Sequence, residues 1–95
     1  MTAAAPARLE IEGELTILTA AEYHEGLLRL LTGGQDLEVG LAGVTEFDTA
    51  GLQVLMLARQ EARRRGVPLR LTGHSAAVLE VLALAWLTPD LGAAA

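Results

Sequence analysis

The chain lacks cysteine and lysine altogether and has only three aromatic residues. Without cysteine it can form neither a disulfide framework nor a thiolate metal site, and two isolated histidines, His24 and His74, are too few for structural zinc. No apolar run reaches the roughly 18 residues needed to span a bilayer, and the N-terminus has no signal-peptide pattern. We therefore expect a cytoplasmic protein with no metal, no cofactor and no direct membrane insertion.

What the chain does contain is a large share of aliphatic residues. With 95 residues, 52% of them apolar, it has the size of one small domain whose core is built from Leu, Val, Ile and Ala. We expect a disordered N-terminus over 1–7, a domain over 8–91 and a frayed C-terminus over 92–95. The net charge of −5 disfavours nucleic acid as a partner.

The positive charge is carried by arginine alone, and four of the seven arginines fall near the end of one predicted helix. They are Arg59, Arg63, Arg64 and Arg65. In the simplest interpretation they complement the helix C-terminus and solvate its outer face. The alternative is a docking patch for an acidic partner.

The first apolar residues alternate with polar ones on both sides of Gly13. Leu9 and Ile11 precede it, and Leu15 and Ile17 follow it. This pattern predicts a strand, a tight turn at Gly13 and a second strand, which together would form a hairpin.

The rest of the chain alternates between helix and strand patterns, which gives the order ββαβαβα. Such an order predicts parallel neighbours joined by right-handed crossovers, with the few helices on one main face of the sheet. After the hairpin we predict a helix over about 20–31, with a capping box of Thr19 and Glu22 and a stop at Gly33 and Gly34. A strand over 37–41 follows, with Val44 and Phe47 in the next loop, and then a helix over about 49–65 that is closed by Gly66 and Pro68. The chain continues with a strand over 68–72, a helix from 76 to about 84 capped by Ser75, and a terminal segment with Trp86, Leu87 and Leu91.

The most informative stretch is residues 45–53, where a strand and loop pass into the long helix. Asp48 is a good N-cap, since its carboxylate can accept from the amides of the first turn. Thr49 then places its hydroxyl at the rim of the helix, and Gly51 allows another part of the backbone to come close. Because a helix N-terminus attracts anions, a phosphate on Thr49 would lie in a favourable field.

The long helix has a small-residue face and two apolar residues beside it. Gly51 and Ala58 lie on the face that can approach the sheet, whereas Met56 and Leu57 fall between that face and the polar one. Either a neighbouring segment covers Met56 and Leu57, or they form an apolar patch suited to a protein partner.

Three stretches resemble the STAS family, the sulfate-transporter and anti-sigma-factor-antagonist domain. They are Phe-Asp-Thr-Ala-Gly-Leu at 47–52, Gly-Glu-Leu at 13–15, and Pro-Leu-Arg-Leu at 68–71 with His-Ser-Ala-Ala-Val at 74–78. Together they cover nearly the whole chain in the family's order. The resemblance implies a single small α/β domain with a mixed sheet of four or five strands backed by helices.

The resemblance also implies a regulatory role with no catalytic residue. Thr49 matches the phosphoacceptor of anti-sigma factor antagonists, whose partner is both an anti-sigma factor and a serine/threonine kinase. The unmodified antagonist binds that partner and releases the sigma factor, and the phosphorylated form does not bind. The expected contact residues are Asp48, Thr49, Ala50, Gln53, Met56 and Leu57, in a monomer or weak dimer.

Two positions depart from the antagonist pattern, and both are expected near the acceptor. Thr16 stands where many antagonists have an acidic residue, and Gly40 where many have Asp or Asn. The combined motifs look more like STAS proteins of bacterial chemotaxis clusters. They are also similar to the cytoplasmic STAS subunit of a lipid-transporting ABC complex, so both kinds of partner stay open.

An enzyme is the remaining class, and the motifs argue against it. Thr49 and Asp48 with a histidine could be drawn as a hydrolase triad, but the chain has no Gly-x-Ser-x-Gly nucleophile elbow. It has no phosphate-binding loop either.

Overall fold

Three strands and three helices alternate along residues 6–85 and 91–92, the part of the chain that the computed structural model describes. The strands are parallel and lie in the order β1-β2-β3. Within this part of the chain, the observed order βαβαβα and the all-parallel sheet correct the predicted ββαβαβα order and the mixed sheet of four or five strands. The elements are β1 (Ala7–Leu15), α1 (Ala20–Thr32), β2 (Leu37–Phe47), α2 (Thr49–Arg65), β3 (Leu69–Thr72) and α3 (Ala76–Leu84).

The predicted hairpin is wrong, because β1 runs through Gly13 without turning. Gly13 has φ +79 but stays paired with Val44, while the next pair along is Glu14 with Glu46. β2 therefore carries one extra residue, Thr45, whose hydroxyl donates to the Gly13 carbonyl over 3.3 Å. The left-handed backbone of Gly13 thus serves a β-bulge, and a bulge preserves the strand direction that a hairpin turn would reverse.

β2 extends well past its predicted end. It includes Val44 and Phe47, which the sequence had placed in a loop. Glycine inside a strand weakens the alternating pattern from which a strand is predicted. Glycine fits at position 40 because the side chain of Glu10 fills the space that a larger residue would occupy. A Cβ on Gly40 would overlap the carboxylate of Glu10, which lies across from it on β1.

The sheet has one apolar face and one polar face, so the prediction that the helices pack on one main face is confirmed. On the polar face Arg8 pairs with both Glu10 and Glu38, and the Arg70 guanidinium lies 3.8 Å from Glu38. The other face and the helices share a core of aliphatic side chains. Its largest fully buried members are Ile11, Leu15, Leu27, Leu31, Leu37, Val39, Leu41, Val44, Leu55, Val78, Leu82 and Leu91.

The starts of α2 and α3 are capped as predicted. An Asp48 carboxylate oxygen accepts from the Gly51 amide at 3.0 Å, and the Ser75 hydroxyl accepts from the Val78 amide at 3.3 Å. Gly66 closes α2 with φ +70, the left-handed conformation that favours glycine at this position.

The predicted capping box of α1 is wrong. The Thr19 side chain forms no cap hydrogen bond to the helix. Its hydroxyl instead donates to the Glu14 carbonyl at 3.0 Å and accepts from the Thr16 amide at 3.1 Å. A threonine hydroxyl can form hydrogen bonds with nearby backbone groups in several ways. Here the hydroxyl bonds to the turn before α1, so it does not cap the helix.

At the other end of the chain, Leu91 is buried and its carbonyl oxygen lies 2.7 Å from Nε2 of His74. The predicted terminal segment with Trp86 and Leu87 lies outside the described residues. Across residues 6–85 and 91–92 no helix has both the length and the apolar character needed to cross a membrane.

Candidate protein-interaction site

Asp48 joins the start of α2 to the turn that follows β1. One carboxylate oxygen accepts from the Gly51 amide and the other from the Ile17 amide, both at 3.0 Å. These backbone donors, Gly51 first and Ile17 second, hold the pKa of the Asp48 carboxyl below its ordinary value. Asp48 is therefore an ionised bridge between two segments as well as a helix cap.

The turn over residues 16–19 is fixed by its own hydrogen bonds. The Thr16 carbonyl accepts from the Thr19 amide at 3.0 Å, and the Thr19 hydroxyl ties the turn back to Glu14. The turn holds Ile17 and Leu18 outward, with 73% and 82% of their surfaces exposed. Two aliphatic side chains are thus presented to solvent on an ordered backbone.

Gly51 lets α2 press against the ends of the strands. A Cβ at this position would collide with the Leu15 carbonyl oxygen and stand 3.0 Å from a ring carbon of Phe47. This close approach confirms the predicted role of Gly51. It also leaves Thr49, the exposed first residue of α2, at the end of the sheet where β1 and β2 terminate.

A groove of about 200 Å³ lies between α1 and α2. Three of the predicted contact residues, Ala50, Gln53 and Leu57, line it. We call it the α1–α2 groove; its full lining is Ile17, Ala20, Ala21, His24, Ala50, Gln53, Val54 and Leu57.

A second groove, of about 460 Å³, lies on the other side of the α2 start. Asp48 and Thr49 form one wall of this α2–α3 groove, and its remaining lining, Leu52, Val81, Leu84 and Ala85, is apolar. Thr49 therefore stands between two recesses of the surface. Met56 is 38% exposed but lines neither groove, so the structure does not group it with the other predicted contacts.

Ile17 and Leu18 were not among the residues predicted to contact a partner. The alternation around Gly13 had placed Ile17 in a strand. The sequence signal that points elsewhere is the flanking pair Thr16 and Thr19, because threonine hydroxyls favour turns by bonding local backbone. Two adjacent apolar residues also break strand alternation at this point.

The two departures from the antagonist pattern lie in different places. Thr16 belongs to the site, where its hydroxyl donates to the Glu14 carboxylate at 2.8 Å. Gly40 does not, which corrects the expectation that both lie near Thr49. Gly40 pairs with Glu10, five steps before the end of β1, and at about 3.3 Å per residue this is roughly 17 Å from the end of the sheet.

The surroundings of Asp48 and His74 do not support the hydrolase triad. Both Asp48 oxygens are taken by backbone amides, and the His74 ring is bonded to the Leu91 carbonyl. Within the described part of the chain, no three His, Asp or Glu side chains are grouped so that they could hold a metal ion.

Three of the four arginines near the end of α2 are engaged within the chain. Arg59 donates to the Leu69 carbonyl at 3.2 Å, while Arg64 and Arg65 both bind Glu61 at 2.5 Å. The two guanidinium groups, Arg64 first, lower the pKa of Glu61 to about 2. These contacts support the simpler interpretation of the cluster over a docking patch.

Comparison with known proteins shows the family to which this chain belongs. Nine solved chains match the structure. One is the STAS domain of a SulP transporter from Vibrio cholerae, 22% identical, with a TM-score of 0.67, covering 97% of this chain and 72% of that one. At this identity the likeness shows the fold. A search of curated proteins found no match.

A family model described as "Mlab, STAS domain" matches residues 2–89. STAS domains are generally regulatory or interaction domains without enzymatic activity. Because the match spans nearly the whole chain, the protein belongs to this STAS-domain family.

Proposed function

We propose that this STAS domain is a non-enzymatic cytoplasmic regulator that binds a protein partner through the start of α2, as anti-sigma factor antagonists do. One observation supports this most. Thr49 is exposed at the first position of a helix whose cap, Asp48, also fixes the protruding turn at Ile17. Both segments are held in place before any partner arrives, which lowers the ordering cost of association.

In this proposal Thr49 is the phosphoacceptor and the partner is an anti-sigma factor with serine/threonine kinase activity, or a chemotaxis-type regulator. A phosphate would add about −1.5 to −2 charge with its own hydration shell. It would stand beside the ionised Asp48, between the two grooves. The unmodified domain binds, and the modified domain is too bulky and too strongly hydrated there to bind.

The test is incubation of the purified chain with its kinase partner and ATP, read by intact mass. We expect addition of one phosphoryl group to the wild type and none to Thr49→Ala. If the candidate kinases leave the wild type unmodified, the switching proposal fails.

A second function, a constitutive STAS subunit of an ABC-type lipid transport complex, is supported by the family match. The matching model is that of the Mlab STAS domain, and a transporter's STAS domain shares the fold. In this case Thr49 contributes its contact at the rim and is not modified.

Thr49→Ala separates the two functions. In the switch it preserves binding and locks it on, because the acceptor hydroxyl is gone. In the transporter subunit it weakens binding, because a contact is lost. Thr49→Glu weakens binding in both, so it serves as the positive control in a binding titration with the purified kinase or the purified ATPase subunit.

A further inference from the structure

The arginines of the molecule gather toward one end of the sheet, where carboxylates such as Glu10, Glu38 and Glu61 pair with them. Parallel strands begin at one end of the sheet, and the helices that follow them run back toward that end. All seven arginines lie toward it: Arg8 and Arg70 near the starts of β1 and β3, Arg29 in the last turn of α1, Arg63, Arg64 and Arg65 in the last turn of α2, and Arg59 against the first residue of β3.

The opposite end, where Thr49 lies, carries carboxylates. Asp48 is bonded to Ile17, Glu14 accepts from Thr16, and Glu22 lies in the first turn of α1. We call Glu14, Glu22, Glu46 and Asp48 the acidic rim. Within residues 6–85 and 91–92 none of the four forms an ion pair.

Two members of the acidic rim face each other directly. Glu14 of β1 is the cross-strand partner of Glu46 of β2. Like charges directly opposite destabilise a sheet, and no neighbouring arginine relieves this pair. A cationic group brought by another molecule would relieve it.

The turn carrying Ile17 and Leu18 is flanked by this rim. The two side chains are 73% and 82% exposed, and Ile17 also lines the α1–α2 groove. The surface therefore combines a fixed aliphatic projection with unpaired negative charge around it. Such a combination fits a partner with an apolar recess and basic side chains at its edge.

Resting on the proposed function, we infer that the protein partner presents arginine and lysine side chains around an apolar recess that receives Leu18 and Ile17. Membrane surfaces rich in anionic lipid and nucleic acids both carry negative charge and would be repelled by the acidic rim. A symmetric pair of copies in contact through this face would oppose two acidic rims, which is also unfavourable.

Charge and fit should act on different rate constants. Complementary charge at the edge of an interface mainly speeds association, whereas packing of buried apolar side chains mainly slows dissociation. Variants of the acidic rim should therefore change the association rate constant. Leu18→Ser and Thr49→Glu should raise the dissociation rate constant.

The experiment starts with the full chain as bait. Proteins retained by the wild type and lost by Leu18→Ser are identified by mass spectrometry, and the partner is then produced in pure form. Association and dissociation rate constants are measured over a range of salt concentrations for the wild type and for the double variant Glu22→Arg, Glu46→Arg. Arg63→Glu, a charge reversal at the opposite end, is the control for position, and Leu79→Ser, 42% exposed on α3, is the apolar control.

We expect the association rate constant of the wild type to fall steeply with salt and the double charge reversal to lower it about tenfold at low salt. Arg63→Glu and Leu79→Ser should stay near the wild type. Circular dichroism of each variant confirms that it is folded.

Each other result overturns the inference in an identifiable way. If Thr49→Glu weakens binding but neither salt nor charge reversal changes association, the partner is not basic and the proposed function stands. If neither Thr49→Glu nor Leu18→Ser weakens any interaction, the proposed function fails as well. If no other protein binds and sedimentation shows that the chain self-associates, with Arg63→Glu abolishing the self-association, then a second copy occupies this surface and the inferred partner is wrong.

Discussion

At the scale of single residues, Asp48 is the position on which the site depends. Asparagine is as good an N-cap as aspartate, so Asp48→Asn should keep the acceptor for the Gly51 amide. Its other side-chain atom becomes a donor and can no longer accept from Ile17. We expect α2 to stay capped while the turn over 16–19 loosens, seen as faster hydrogen exchange of the Ile17 amide with little change at Leu52. Equal protection of Ile17 in both proteins would contradict the bridging role.

The carboxyl groups also predict how stability changes in acid. Arg64 and Arg65 hold the pKa of Glu61 near 2, against an ordinary value of 4.5. The folded chain therefore releases this proton more readily than the unfolded one. The stability that the ionised carboxylate contributes is complete above about pH 4.5 and is lost as the pH falls through about 2.

Urea denaturation of the wild type and Glu61→Gln over this range tests the point. The wild type should be the more stable near neutral pH, and the difference in the free energy of unfolding should close as the pH falls toward 2. Because the group is partly exposed to solvent, solvent screening keeps the difference small. A difference that widens in acid would show that the ion pairs with Arg64 and Arg65 are not its source.

Some of the residue-scale site follows from sequence and some does not. The cap at Asp48 and the exposed Thr49 depend on neighbours within one helical turn, so local pattern was enough to predict them. The second bond of Asp48 joins it to Ile17, 31 positions away in the chain. That contact exists only because β1 and β2 lie side by side, which the hairpin interpretation did not allow.

At the scale of elements, the contact of α2 with the strand ends depends on one missing side chain. A Cβ at Gly51 would press on the backbone of Leu15, which cannot move aside as a flexible side chain could. We expect Gly51→Ala to destabilise the fold by about 1–3 kcal/mol and to weaken partner binding by displacing Thr49.

Gly26 is the matched control, because it lies inside α1 and a Cβ there would meet nothing within 4 Å. Gly26→Ala should stabilise the chain by up to about 1 kcal/mol through helix propensity. Chemical denaturation of both variants gives the comparison. If Gly51→Ala were as stable as Gly26→Ala, α2 would not be pressed against β1.

Helices were predicted better than strands, for a physical reason. α2 and α3 begin at side-chain caps, and α2 ends at a left-handed glycine. Each of these signals depends on only a few adjacent residues of the sequence. β1 and β2 owe their lengths to their pairing, including the extra Thr45 opposite Gly13. A bulge depends on two strands at once, so the alternation of either strand alone suggested a break.

At the scale of the whole molecule, parallel topology places the arginines and the unpaired acidic rim at opposite ends of the sheet. Arginines in the last helical turn and carboxylates in the first turn are each favoured by the helix dipole. In a βαβ arrangement the helix ends of one kind collect at one end of the sheet. The net charge of −5 gives no hint of this separation, because it appears only when the elements are assembled.

The acidic rim should therefore oppose stability while it serves association. Glu46→Gln removes the like charge opposite Glu14 and should raise the free energy of unfolding by about 0.2–1 kcal/mol. The same change should slow association with a basic partner, because one steering charge is lost. Glu61→Gln, the same substitution at the arginine-bearing end, should lower stability and leave association unchanged.

Glu46→Gln should thus raise stability and slow association, whereas Glu61→Gln should lower stability and leave association unchanged. This contrast distinguishes a binding surface from a structural one, since residues kept for binding are often not optimal for stability. Denaturation curves and association rate constants for the two variants provide the measurement. If Glu46→Gln destabilised the chain, Glu46 would be held by a contact within the fold. If it stabilised the chain without slowing association, the like-charge pair would exist but would play no part in attracting a partner.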